Sequence, residues 1–403
     1  MSSVSCVALA QGLVGGEDAY LSGERLRPDV YPAPASEPYD PFFDIDYSLS
    51  LRGSYSKGTS GERFDVELTP SVSAEHIGSR SAIQAEASAD LVRAHGTDTV
   101  EIGGLRLGLQ AGYQLDRDTR LTARGELNFD QPLAGMPGTA TNVATPGNSV
   151  VGSAEVGVTR EFGKFNAGVT AGVARQVYGA TALVDGTRVD NFTQNHTAYS
   201  GTLRVGYDVT PIFEVFGETR VKRDQFDNDL PAILARADAT DMRVRAGIVG
   251  RWDERLEASA SIGTGVRKPD HAGLSEVQTQ FYDAEVTYRP DETLRMTAGY
   301  STNLVPASSA NAPSSVRLEQ KLRAEVGYTV NSWLALRGLA DWTRSEFAGT
   351  NDFENAHGIG AGADYKVNAH TAVSADYEYD YVDSTQTGKQ EAHRVSVGLT
   401  VSR

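Results

Sequence analysis

The sequence predicts an all-β protein: a transmembrane, antiparallel, up-and-down β-barrel of about 18 strands. Three observations predict it. Apolar and polar residues alternate with period two in long runs from Phe43 to the end of the chain. Tight polar turns alternate with long loops. An aromatic residue stands just before each of seven tight turns: Tyr113, Phe162, Tyr207, Trp252, Tyr288, Tyr328 and Tyr365. The intervals between them are roughly 36 to 49 residues, enough for two membrane-crossing strands and an outer loop. A row of aromatics at one height is what a membrane interface favours.

Composition permits this fold. No run approaches the ~18 apolar residues of a membrane helix. A barrel needs none, because only every second residue faces lipid. A mean hydropathy of −0.34 is therefore compatible with spanning a membrane. The net charge of −16 argues against nucleic acid as a partner. A single cysteine, Cys6, rules out a disulfide framework and a cysteine-built metal site.

The elements follow in order. Ala8-Leu9-Ala10 before Gln11 matches the small-x-small pattern cut by signal peptidase, so residues 1–10 read as a signal-peptide remnant. Residues 11–40 hold Pro28, Pro32, Pro34 and Pro38 and mixed charges, and read as an extended periplasmic arm. The barrel occupies 41–403. In its first strand Phe43, Ile45, Tyr47, Leu49, Leu51, Gly53 and Tyr55 alternate with Asp44, Asp46, Ser48, Ser50 and Arg52. That exceeds the ~5–6 residues of a globular strand and suits a tilted membrane crossing of ~9–11. The strands fall at roughly 43–56, 63–76, 81–93, 100–115, 119–130, 150–162, 164–179, 197–209, 212–223, 240–252, 255–267, 278–289, 293–304, 315–330, 333–346, 356–367, 370–382 and 391–402. An even count puts both chain ends on one side.

The tight connections include Asp116-Arg117-Asp118, Gly163, Thr210-Pro211 and Asn331-Ser332. The long ones are 131–149, 180–196, 224–239, 268–277, 305–314 and 347–355. Short turns are periplasmic in such barrels and long loops external, so the seven aromatics mark the periplasmic interface. Tyr55, Phe129, Tyr178, Trp342 and Tyr379 are placed in an outer girdle.

Catalytic chemistry finds little support. The seven histidines include no pair at the i, i+4 spacing of a helical zinc site. Gly358-Ile359-Gly360-Ala361-Gly362 lacks the helix a nucleotide loop requires; small lumen-facing residues leave room in a pore. There is no Gly-x-Ser-x-Gly, and no cofactor or metal is expected. The inner wall is the functional candidate. Parity places Asp46, Arg52, Arg106, Arg124, Glu126, Glu214, Glu218, Arg220, Arg243, Arg245 and Arg337 on it, where charges of both signs set selectivity. An ~18-stranded barrel normally encloses an aqueous channel.

The Pro-containing arm, the strand opening Asp44-Ile45-Asp46-Tyr47 and turns such as Tyr288-Arg289-Pro290-Asp291 resemble the β-barrel porin 2 group of proteobacterial outer membranes. The likeness spans 40–403 and rests on pattern. It implies an outer-membrane channel for passive diffusion of small polar solutes, with lipid, lipopolysaccharide and the barrel-assembly machinery as partners. Alternatives it leaves open are an exopolysaccharide-export component, with the arm meeting periplasmic export proteins, and a non-conducting structural barrel.

Overall fold

The computed structural model describes residues 43–403 except 60, 97, 135–141, 232–233, 254 and 307–315. The expected signal-peptide remnant and arm lie outside the described residues.

Eighteen antiparallel strands form one sheet. They are β1 (Asp44–Gly58), β2 (Gly61–Ile77), β3 (Ser81–Arg93), β4 (Glu101–Gln114), β5 (Thr119–Asp130) and β6 (Ser149–Phe162). β7 (Phe165–Tyr178), β8 (His196–Thr210), β9 (Phe213–Phe226), β10 (Ala239–Trp252), β11 (Leu256–Pro269) and β12 (Val277–Tyr288) follow. The last are β13 (Leu294–Pro306), β14 (Val316–Asn331), β15 (Leu334–Phe347), β16 (Phe353–Asn368), β17 (Thr371–Ser384) and β18 (Gly388–Ser402). Each strand pairs with the next, and β18 returns to β1, from Ser48 opposite Ser402 to Gly58 opposite Ala392. Closure leaves no terminal edge, so the ladder satisfies the backbone inside a membrane.

Sidedness is inverted relative to a soluble protein. Ile45, Leu49, Leu51, Val169, Leu203, Ile262, Ile359 and Val397 are exposed on the outside. Buried groups include many polar ones, among them Asp90, Glu214, Asp224, Arg267, Glu319 and Glu378. An apolar outer band around a polar interior is the membrane-barrel pattern.

Side-chain caps build the tight turns. Asp116 Oδ1 accepts the N–H groups of Asp118 and Thr119, both at 2.9 Å. Asn331 Oδ1 accepts those of Trp333 and Leu334, both at 3.0 Å. Asp291 does the same for Thr293 and Leu294 at 2.8 and 3.1 Å. A short polar side chain thus starts each of these three reversals. Between β6 and β7 the turn needs φ +68° at Gly163, a value only glycine adopts freely.

Two features were not foreseen. A small separate sheet joins the third and fourth outer loops, with Thr181–Leu183 paired to both Val143–Thr145 and Arg188–Val189. The β12–β13 ladder runs only from Tyr288 opposite Met296 to Asp283 opposite Ser301, leaving the long-loop halves of these strands without mutual pairing. Tyr178 also corrects its expected place. It shares parity with inward Asn166 and Gln176, and its hydroxyl donates to Gln176 Oε1 at 3.0 Å. It belongs to the lumen side, not to an outer girdle.

Candidate transport pathway

Alternation along every strand turns one residue in two to the interior. An inward-facing cavity of about 590 Å³ lies along the wall formed by β1–β5 and β14–β18. Ser48, Ser50, Ser54, Thr69, Ser71, Ser374, Ser396 and Thr400 give it a hydroxyl face. Some of these pair in rows: Ser48 with Ser71 at 2.7 Å and Ser50 with Thr400 at 2.8 Å. Its charged lining comprises Arg52, Arg106, Arg323, Arg337 and Arg394 against Glu67, Glu86, Asp90, Glu126, Glu325, Asp364, Asp376 and Glu378. Carboxylates outnumber guanidinium groups.

Most of those arginines are committed. Arg106 holds Asp90 at 2.7 Å and Arg394 holds Glu378 at 3.2 Å. Arg323 meets Glu325 at 2.5 Å, and Arg337 bridges Asp364 and Asp376. Arg52 stands opposite Glu67 in the β1–β2 register, yet makes no ion pair among the described residues. Glu86 likewise has none.

A second charged wall lies on β8–β12. Arg245 grips Glu218 with Nε and Nη2 at 2.8 and 2.9 Å and reaches Asp283 at 3.1 Å. Arg243 also pairs with Asp283, and its guanidinium lies 4.1 Å from the centre of the Phe281 ring. Arg204 pairs with Glu214 at 2.8 Å and sits 4.4 Å from the Phe216 ring. Arg220 is in register with Arg243 but has no carboxylate of its own among the described residues.

Of the residues expected on the inner wall, Arg52, Arg106, Glu126 and Arg337 therefore meet in the 590 Å³ cavity. Glu214, Glu218, Arg220, Arg243 and Arg245 form the separate β8–β10 group. Arg124 approaches Glu126 at 3.5 Å with both side chains about half exposed. Asp46, near the start of β1, joins neither group. Sequence reasoning missed one further cluster at the long-loop end. Arg267 is 2 % exposed and bonds Asp224 at 2.7 Å and Asp241 at 2.6 Å, while Lys222 meets Asp224 at 3.0 Å. Parity alone did not reveal that these four converge.

The seven aromatics stand at the short-turn end. Tyr113, Phe162, Trp252, Tyr288, Tyr328 and Tyr365 are exposed. Several meet a second ring from the following or adjacent strand: Tyr207 with Phe165 at 4.8 Å, Trp252 with Phe213 at 5.1 Å, and Tyr365 with Trp333 at 5.3 Å. At the opposite end, Arg63 of β2 donates to the Ala134 carbonyl at 2.5 Å, so the third outer loop leans from β5 towards β2. Outward Arg175 and Arg223 clamp loop carboxylates Asp227 and Asp270. Hydrogen bonds from these guanidinium groups hold both carboxyls below the usual carboxylate range.

The sequence profile of the family described as "Putative beta-barrel porin 2" matches residues 52–403. The chain belongs to that family. It is a porin-like β-barrel of the bacterial outer membrane, set in lipid. Among solved structures it is similar to OccK3 (OpdO) of Pseudomonas aeruginosa, at 14 % identity over 89 % of this chain and 96 % of that one, with a TM-score of 0.43. P. aeruginosa OpdK, solved with vanillate, is 11 % identical over 89 % and 99 % of the two chains, with a TM-score of 0.44. The FrpB iron transporter of Neisseria meningitidis is 7 % identical over 89 % and 83 %, with a TM-score of 0.44. No curated protein matches the chain.

Proposed function

We propose that this barrel is a passive diffusion channel for small polar solutes with a preference for cations, and not an enzyme. The observation that carries the reading is the charge balance of the 590 Å³ cavity, where eight carboxylates face five arginines. Charges act over the ~10 Å Debye length at 0.1 M salt, so neighbouring groups of this wall act on the same ion. Acidic excess in a constriction favours cations. The hydroxyl rows offer donors and acceptors that replace part of a solute's hydration.

In this reading the short-turn end faces the periplasm, and Tyr113, Phe162, Tyr207, Trp252, Tyr288, Tyr328 and Tyr365 form the interfacial girdle there. Asp46, Arg124 and the β8–β10 group border the aqueous path beyond the cavity. The apolar outer band meets lipid and, in the outer leaflet, lipopolysaccharide, and the barrel-assembly machinery inserts it. Planar-bilayer recording of the refolded full chain tests the proposal. Stepwise conductance with a reversal potential favouring K⁺ over Cl⁻ in a KCl gradient is expected. Silence under all voltages, or a reversal potential favouring Cl⁻, would overturn it.

A further inference from the structure

Arg337 and Asp376 belong to strands that are not neighbours. Arg337 stands on β15 opposite Gly362 of β16, and Gly362 stands opposite Asp376 of β17. The three residues form one row across the wall. Adjacent strands are ~4.8 Å apart, so the ends of this row are separated by roughly 9 to 10 Å. The Arg337 side chain spans that gap lying flat, with Nε 3.1 Å from Asp376 Oδ1 and Nη2 also donating to it. Only 12 % of the side chain is exposed, although it lines the cavity. A Cβ at Gly362 would lie 2.2 Å from Asp376 Oδ1 and 2.8 Å from Arg337 Nε. The bridge therefore occupies the space that any side chain at 362 would need.

The same geometry recurs. Asn166 of β7 donates to Glu214 of β9 at 3.3 Å across Gly206, where a Cβ would meet both side chains at 2.2 to 2.6 Å. Arg245 of β10 reaches Asp283 of β12 at 3.1 Å across β11, where it is in register with Gly263. In the Arg337 and Asn166 instances the polar contact skips a strand at an inward glycine; in the third, Gly263 faces Arg245 while Asp283 stands opposite Ser261, which donates to it at 3.4 Å.

We infer that Gly362 is a positioning residue that lets Arg337 lie against the wall, and that this placement keeps the guanidinium out of the conducting path. The inference rests on the channel reading above for its effect on conductance, but not for its geometry. An arginine forced upright would project several ångströms into the cavity it lines and narrow the path. Gly362→Ala suffices as the perturbation, because the Cβ collides first with the Asp376 and Arg337 side chains, whereas the nearest ladder atom, the Ala375 carbonyl oxygen at 3.3 Å, needs to give by only a few tenths of an ångström.

The experiment compares wild type, G362A, R337A and the double variant G362A/R337A, each as the refolded full chain. Single-channel conductance of G362A should fall about twofold, and removal of Arg337 in the double variant should restore it to the R337A level. A structural role for Gly362 would not be rescued in this way. If the double variant stays as low as G362A, or if G362A conducts like wild type, the inference is wrong. The crystal structure of G362A decides it even if wild type proves silent, an outcome that would sink only the channel reading. There the Arg337 guanidinium should have left Asp376; an intact bridge would overturn the positioning role.

Discussion

A lysine at Val169 tests the inside–outside assignment on which the pathway depends. Val169 lies on β7 and is 52 % exposed on the outer face. Its register neighbours are Val158 on β6 and Leu203 on β8, both exposed and apolar. Phe165, four residues earlier, stands at the short-turn end beside Tyr207. Four residues cover about 13 Å along a strand at ~3.3 Å each. A tilt of ~40° converts this to about 10 Å of height, close to the midplane of a ~25 Å apolar band. A lysine facing lipid at that depth costs ~2–4 kcal/mol. Thr170, one residue on, faces inward between Gly157 and Thr202, so Thr170→Lys at nearly the same height should cost under about 0.5 kcal/mol. Reversible guanidinium unfolding in phospholipid vesicles measures both by linear extrapolation. A cost for T170K equal to or above that for V169K would refute the assignment of faces and, with it, the lumenal residues.

Other consequences are separable. Glu86→Gln should shift the reversal potential towards anions and Arg52→Gln towards cations, since neither residue has an ion-pair partner to mask its loss; equal or reversed shifts would remove both from the path. Hydrogen bonds from Asp118 and Thr119 hold the Asp116 carboxyl below its ordinary range, and Thr293 does the same for Asp291. A depressed folded value means stability that is present above the unfolded carboxylate range and lost as pH falls through the folded value. The midpoint difference between wild type and D116N/D291N should therefore hold steady above about pH 5 and shrink between about pH 4 and pH 2. Gly163→Ala, at φ +68°, should destabilise by about 1–2 kcal/mol, whereas Gly201→Ala, with open space around its Cβ, should be neutral or slightly stabilising in the same unfolding assay. Hydrogen exchange should be faster for the amides of residues 277–282 that point towards β13 than for those paired with β11; uniform protection would mean that the β12–β13 ladder extends further than its six pairs.

What the sequence made legible follows from locality. Period-two alternation is a property of neighbouring residues, so all 18 strands and their parity could be read directly, with ends displaced by a few residues. The turns were legible because Asp116, Asn331 and Asp291 cap their own backbones within three residues. Contacts that depend on register across strands were not. Nothing near Arg337 indicates that its partner is Asp376, 39 positions away, because the choice depends on which residue of β16 lies between them. The glycines at 358, 360 and 362 signalled space, but not what fills it. Tyr178 was misplaced because aromatic identity near a loop was given more weight than its even parity with Asn166 and Gln176. The small loop sheet escaped notice because strands of two or three residues carry no periodicity.

The distribution of loops and charges places the cavity physically. Long connections at 131–148, 179–195 and 227–238 follow β5, β7 and β9. Over the other half the reversals are short, with β1 and β2 separated only by 59–60 and β17 and β18 by 385–387. The 590 Å³ space runs along this second half, under the short reversals. Charged side chains standing upright would fill such a space, and an isolated buried charge would be costly. Pairing along the wall addresses both problems: the carboxylates on β3, β16 and β17 accept from Arg106, Arg337 and Arg394, and inward glycine lets the longest pair cross a strand without rising from it. Arg52 and Glu86 also lie along the wall, beside Gly398 and over Gly108, but make no ion pair among the described residues, so their charges act undiminished on the lumen. That is why single neutralisations at these two positions should change selectivity more than the loss of any one bridge.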